Sequence, residues 1–158
     1  MNRVNHVIGA EIETLQREAF GYYKHEVNSV NGLVIDKTAP DSPREYCGHR
    51  LRARGLPGWR RTRIHLTGHG RRAHVDDTAF FSSSPQGPEP DGTGYRSFYY
   101  HFLDMQTGRC AGQCELSKVD SAFMLAGALT AAAYFGAHCA DEEEIRTVAE
   151  TLNWRCSR

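Results

Sequence analysis

The run from Ser117 to Phe135 constrains this chain most. Beyond Asp120 it reads SAFMLAGALTAAAYF, with no charged residue and with small side chains on every face. A helix that is apolar all round is a buried helix. The run is shorter than the roughly 20 apolar residues that a bilayer span requires. It must therefore pack inside protein, with Val119, Phe123, Leu125, Ala126, Leu129, Ala132 and Ala133 as its expected packing face. Gly127 and the alanines would let a neighbouring helix come close.

What precedes this helix is built differently. A Gly/Pro loop, SPQGPEPDGTGY, leads into an aromatic run, RSFYYHFLDMQTGR, and then into CELSKVD. Rings and carboxylates feeding the start of a packed helix are expected to form the rim of a binding site. Along the aromatic run, alternate residues of a strand face opposite ways. Tyr99 and His101 then share one face, Tyr100 and Phe102 the other, and either face could look into the cleft.

Two further helices are legible. Ile8, Ile12, Leu15, Ala19, Tyr22 and Tyr23 fall at helical spacing, with Glu11, Glu13, Arg17 and Glu18 between them, which predicts an amphipathic helix over Val7 to Val27. Asn28 to Asn31 stop it, and Gly32 to Lys37 cross over in extended form. Asp141 to Glu144 suit the positive end of a last helix running to about Trp154.

The segment from Arg44 to about Ala79 breaks the pattern. Nine arginines lie between Arg44 and Arg72, with no lysine and one acid, Glu45, although the whole chain balances 19 basic against 19 acidic residues. Neither helical nor strand period holds there, and structureless loops of this length are uncommon inside compact domains. A solvated basic loop, or a surface for nucleic acid or another polyanion, is one reading. It has the charge, but no lysine, no amphipathic helix and no known module. The favoured reading is a shifted coding frame. Codon degeneracy lets Arg44–His49 be reread one base along as A-S-I-A-A-T, the stretch through Trp59 as G-F-A-L-A-A-Y-P-V-G, and His74–Ala79 as T-L-T-T-L-R. These strings have Ala-rich helical character, and the last runs directly into Phe80-Phe81.

The strings LQREAFGYY, NGLVIDKTAPDSP, FFSSSPQGPEPDGTGYRSFYYHFLDMQTGR and CELSKVDSAFMLAGALTAAAYF resemble the bacterial glycoamylase-like domain family. That family includes endo-β-1,2-glucanases and a domain of cyclic β-1,2-glucan synthases. The likeness covers most of Glu13 to Leu152 outside the arginine-rich segment. It implies an all-α fold, the N-terminal part of an (α/α)6 toroid, with a long loop and a short β-hairpin between helices. It places a helical hairpin where the arginines stand, and implies that such a domain continues well beyond Arg158. The whole of 1–158 is thus expected to be one partial domain acting on β-glucan, β-1,2-linked for preference, and inactive alone.

Glycoside hydrolysis needs two carboxyl groups flanking the scissile bond. Within the resemblance, Glu115 just before the buried helix and Asp104 at the end of the aromatic strand lead as catalytic acids. Asp104 has a bland alternative as the turn residue of DMQTG, and Glu115 and Asp120 as charges on a helix N-terminus. Asp120, inside the helix, is expected to be structural or to support the site. Asp36, Tyr95, Tyr99 and His101 are the expected substrate contacts, with an oligo- or polysaccharide as partner. Cys110-x3-Cys114 with His101 has a spacing a metal could use, but no fourth ligand is evident, so no metal or cofactor is expected. The five cysteines are read as free thiols. The N-terminal residues MNRVNHVIGAEIETLQ are too polar for a signal h-region, and no membrane partner is expected.

Overall fold

The computed structural model describes residues 3–36, 46–47, 78–89 and 91–157. Most of the arginine-rich segment, and with it the shifted-frame reading and the helical hairpin expected there, lies outside the described residues. Helix α1 spans Arg3–His25. A short strand β1, Tyr46–Cys47, follows, and residues 78–83 are helical (α2). Strands β2 (Gly94–Tyr95), β3 (Phe98–Tyr100), β4 (Leu103–Asp104) and β5 (Leu116–Ser117) come next. Helices α3, Lys118–Tyr134, and α4, Ala140–Cys156, complete the described part. Helices dominate, but the expected short hairpin is a larger β feature. Strands β2, β3 and β5 form one antiparallel sheet, and β1 pairs with β4.

Each element has a local cause. Ser117 caps α3: its Oγ accepts from the Asp120 backbone N–H, satisfying one of the orphan donors of the first turn. Asp141, Glu142 and Glu143 occupy the first turn of α4, where the helix dipole favours them. The turn between these helices is closed from within α4. The Arg146 guanidinium donates to the carbonyls of Phe135 and Ala137, and Glu142 Oε2 accepts from the Ala137 N–H.

The β2–β3 connection is Arg96-Ser97, with φ of 49° and 67°. Two positive-φ residues in a two-residue loop match the twist of paired strands, although neither is the glycine or asparagine that usually carries this conformation. Ser97 is held by other bonds: its N–H donates to Gln86 Oε1 and its hydroxyl to Arg155 O.

The core joins the sheet to the helix pair. Leu33, Phe81, Tyr99, Leu103, Met124, Ala128, Ala149 and Leu152 form one buried cluster, and Ala131, Phe135 and Ile145 a second. The face of α3 differs from the expected one. Asp120, Ser121, Met124, Gly127, Ala128 and Ala131 are buried, whereas Val119, Ala126, Leu129 and Ala133 are exposed. Leu125 and Ala132 of the expected face do pack against the core, while the small Ala128 and Ala131 join Ala149, Leu152 and Ile145 of α4, because close helix packing favours the smallest residues. On α1, Ile8, Ile12 and Leu15 keep the predicted spacing, but all three are exposed.

The first crossover packs back on the sheet region. Val27 bridges Val34, Gly32 turns the chain at φ 75°, and Leu33, Val34 and Ile35 are buried. The side-chain amides of Asn28 and Asn31 both donate to the Met105 carbonyl.

Candidate functional site

The sheet delivers the aromatic run to the mouth of α3. In the β3–β5 register Tyr99 pairs with Ser117 and Tyr100 with Leu116. The His101 N–H then donates to the Glu115 carbonyl at 2.9 Å, which fixes Glu115 beside the strand two residues ahead of the cap. The Glu115 side chain is exposed.

The same strand–helix junction holds a polar cluster. His101 Nδ1 is 2.6 Å from Asp120 Oδ2, with the imidazole 31% and the carboxylate 3% exposed. The Ser117 hydroxyl donates to that same Oδ2. Ser121 Oγ donates to Ser117 O and accepts from the Tyr99 N–H. The His101 ring also stands edge-on to Phe102 with centroids 4.2 Å apart. A buried carboxylate must be paired and hydrogen-bonded to be tolerated, and here one helix turn and one strand supply both partners. The arrangement orients the part-exposed imidazole through Nδ1 and leaves Nε2 as the ring nitrogen that could meet a hydroxyl.

The other expected site residues are placed differently. Asp104 Oδ1 accepts from the N–H groups of Gln106 and Thr107 and from the Thr107 hydroxyl. Partial burial works to raise its carboxyl, but the bonds from Thr107 and Gln106 outweigh it and hold the group below the ordinary range. It is thus bound into its own turn and stands outside the His101–Asp120 cluster.

Tyr99 is a core residue. Its ring is 1% exposed, its hydroxyl donates to Phe81 O at 2.7 Å, and it packs edge-on against the Phe81 ring. Burial, first among the causes, pushes its phenol up to about 12. That leaves Tyr99 no open face for a sugar, which corrects the expectation that it contacts substrate and resolves the strand's ambiguity at this position. Tyr95 is half-buried at the β2–β3 turn with the Arg96 guanidinium over its ring. Asp36 is exposed at the end of the first crossover.

Sequence reading gave Asp120 a supporting place but did not pair it with His101, and it missed Ser117. The signal for Ser117 was present: Ser-x-x-Asp ahead of an apolar run is a helix-start pattern. Among the described residues no three His, Cys, Asp or Glu side chains gather as a metal site would, and no helix is long and apolar enough to cross a membrane. The polyanion alternative rests on residues outside the described ones.

No protein-family model matches the sequence, and no curated protein does. Solved structures do match in fold. A candidate glucoamylase from Bacteroides uniformis ATCC 8492 superposes with a TM-score of 0.75 at 20% identity, over 94% of this chain and 36% of that one. A β-1,2-glucanase from Parabacteroides distasonis gives 0.73 at 18% identity, over 91% of this chain and 20% of that one. An endo-β-1,2-glucanase from Chitinophaga pinensis, in complex with sophorotriose and glucose, gives 0.67 at 16% identity, over 93% and 36%. The chain therefore spans about a third or less of these structures. Over nearly its whole length it has the fold of one part of the glucoamylase-like and β-1,2-glucanase structures, as the sequence resemblance implies.

Proposed function

We propose that this chain is part of a glycoside hydrolase-like domain acting on β-glucan, β-1,2-linked for preference. In this reading α3 and α4 are one hairpin of an (α/α)6 toroid, and the loop, sheet and start of α3 form one wall of its cleft. The observation that carries it is the exposed Glu115 carboxylate at the mouth of α3, beside an oriented His101, in a fold shared with β-1,2-glucanases.

Glu115 is the leading catalytic acid. Asp104 is the second candidate from this chain, provided its turn opens. His101, Tyr95 and Asp36 are the expected sugar contacts, with Asp120 holding His101. Since the chain spans a third of such structures, hydrolysis is expected of a longer protein and not of these residues by themselves.

The test is a titration of 15N-labelled chain with β-1,2-linked gluco-oligosaccharides, with β-1,4-linked ones in parallel. Shift changes should concentrate in residues 92–104 and 114–121 and be larger for the β-1,2 series. Silence in both segments at millimolar sugar would overturn the glycan reading. Equal responses would overturn the linkage. Release of reducing ends by the chain alone would overturn its dependence on a longer protein.

A further inference from the structure

The loop between β4 and β5 holds a feature that sugar chemistry does not use. Cys110 and Cys114 bring their sulfur atoms to 3.3 Å from one another. Neither is fully buried, so a small reagent can reach them. The loop is shaped for this contact. Gly112, at φ 68°, takes a conformation that residues with a Cβ resist, and it folds the chain back between the two cysteines.

Both ends of the loop are anchored to the preceding strand region. The Cys110 N–H donates to Gly92 O, and Leu103 bridges Cys110. The Ala111 N–H and the Cys114 thiol both donate to the Phe102 carbonyl. Removing the Cys114 thiol proton therefore orphans nothing, because Phe102 O keeps its bond from Ala111.

We propose that Cys110 and Cys114 form a reversible dithiol–disulfide pair that exchanges with low-molecular-weight disulfides and closes the loop leading to Glu115. One cysteine, as thiolate, attacks a sulfur of the small disulfide. A mixed disulfide forms and one small thiolate leaves. The second cysteine then attacks the protein sulfur of that mixed disulfide, forming the Cys110–Cys114 bond and expelling the second small thiol. The sum is two protein thiols oxidised, one small disulfide reduced to two thiols, and two protons passed to the products. Excess small thiol reverses it.

The sulfurs need only close from 3.3 Å to the bonded distance of about 2 Å. Burial, and after it the hydrogen bond with Cys114, pushes the Cys110 thiol up to about 11. This keeps it protonated near neutral pH and makes the exchange faster as pH rises. Cys156 has a different contact, a weak bond to Ser97 O. The inference stands independently of the glycan reading.

Trypsin cuts after Arg109 and Lys118, so both cysteines fall in one peptide, CAGQCELSK. The full chain is equilibrated with reduced and oxidised glutathione at several ratios, alkylated in acid and digested, natively and in urea. The expected result is a peptide two hydrogens lighter that takes no alkyl group. Its equilibrium constant should be at least about tenfold higher in the native chain than in urea, because the fold aims the sulfurs at each other. Cys114→Ser should stop at the glutathione adduct on Cys110. Equal constants with and without urea, two alkylated thiols throughout, or pairing with Cys47, Cys139 or Cys156 instead would each overturn the proposal.

Discussion

The His101 imidazole and the Asp120 carboxylate meet at 2.6 Å across 19 residues of sequence, one carried just past the end of β3 and the other by the first turn of α3. Their contact locks the strand to the helix at the point where the exposed Glu115 side chain leaves the chain. Asp120→Asn keeps the shape but replaces a charged acceptor serving both His101 and Ser117. Removing a charged acceptor from a nearly buried site should cost about 1–3 kcal/mol. Urea unfolding of D120N and His101→Gln, alone and together, should show non-additive losses. Additive losses would mean the two side chains act separately.

Tyr99→Phe should cost about 1 kcal/mol, the net value of its bond to Phe81 O. The wild type should also lose stability at high pH. The phenol is raised in the folded state, so its contribution is whole below the unfolded value of roughly 10. It is lost as pH rises from there through about 12. Stability measured at pH 9 and pH 11.5 should fall less in Y99F than in the wild type.

Asp104 has the opposite sign. Its carboxyl is lowered in the folded state, net of partial burial, by the bonds from Thr107 and Gln106. That contribution is present above the unfolded value of about 3.9 and disappears as pH drops below it toward the folded value. Asp104→Asn should flatten the acid limb of the stability curve. Protection of the Gln106 and Thr107 amides, the two N–H donors to its carboxylate, relative to their intrinsic exchange rates, should fall in the same pH window. If their protection factors are unchanged between pH 5 and pH 2.5, the turn does not depend on the charge.

Gly108 sits at φ 69°, and a Cβ there would lie 2.4 Å from the Phe80 ring. Gly108→Ala meets both backbone strain and a core clash, and should destabilise by about 2–4 kcal/mol. Thermal melts of G108A and the double variant Gly108→Ala/Phe80→Leu separate the two causes. Partial rescue in the double variant is expected, since only the clash is relieved.

How far these features were legible depends on how local their causes are. Helix α3 was readable because its apolar run is long, while its cap went unread although Ser-x-x-Asp is a short-range signal for it. Its packing face was legible only in part, at Leu125 and Ala132, since a helix apolar on all sides carries no moment to orient it, and the close approach at Ala128 is a tertiary fact. The Asp104 turn was visible in DMQTG. The Arg96-Ser97 turn was invisible, because it uses positive φ without glycine and is held by Gln86 and Arg155 from elsewhere in the chain. Tyr99 looked like a sugar platform because nothing in an aromatic strand says which face will meet Phe81.

The amides of Asn28 and Asn31 reach Met105 O over 77 and 74 residues. These two bonds work as a clasp. The entropy of bringing its halves together grows only with the logarithm of the enclosed length, about 0.6 kcal/mol per doubling. Doubling the enclosed chain would therefore change the cost of fastening the clasp only slightly. The first crossover is thus brought against the turn that carries Asp104 at a cost set mainly by the length of chain between them.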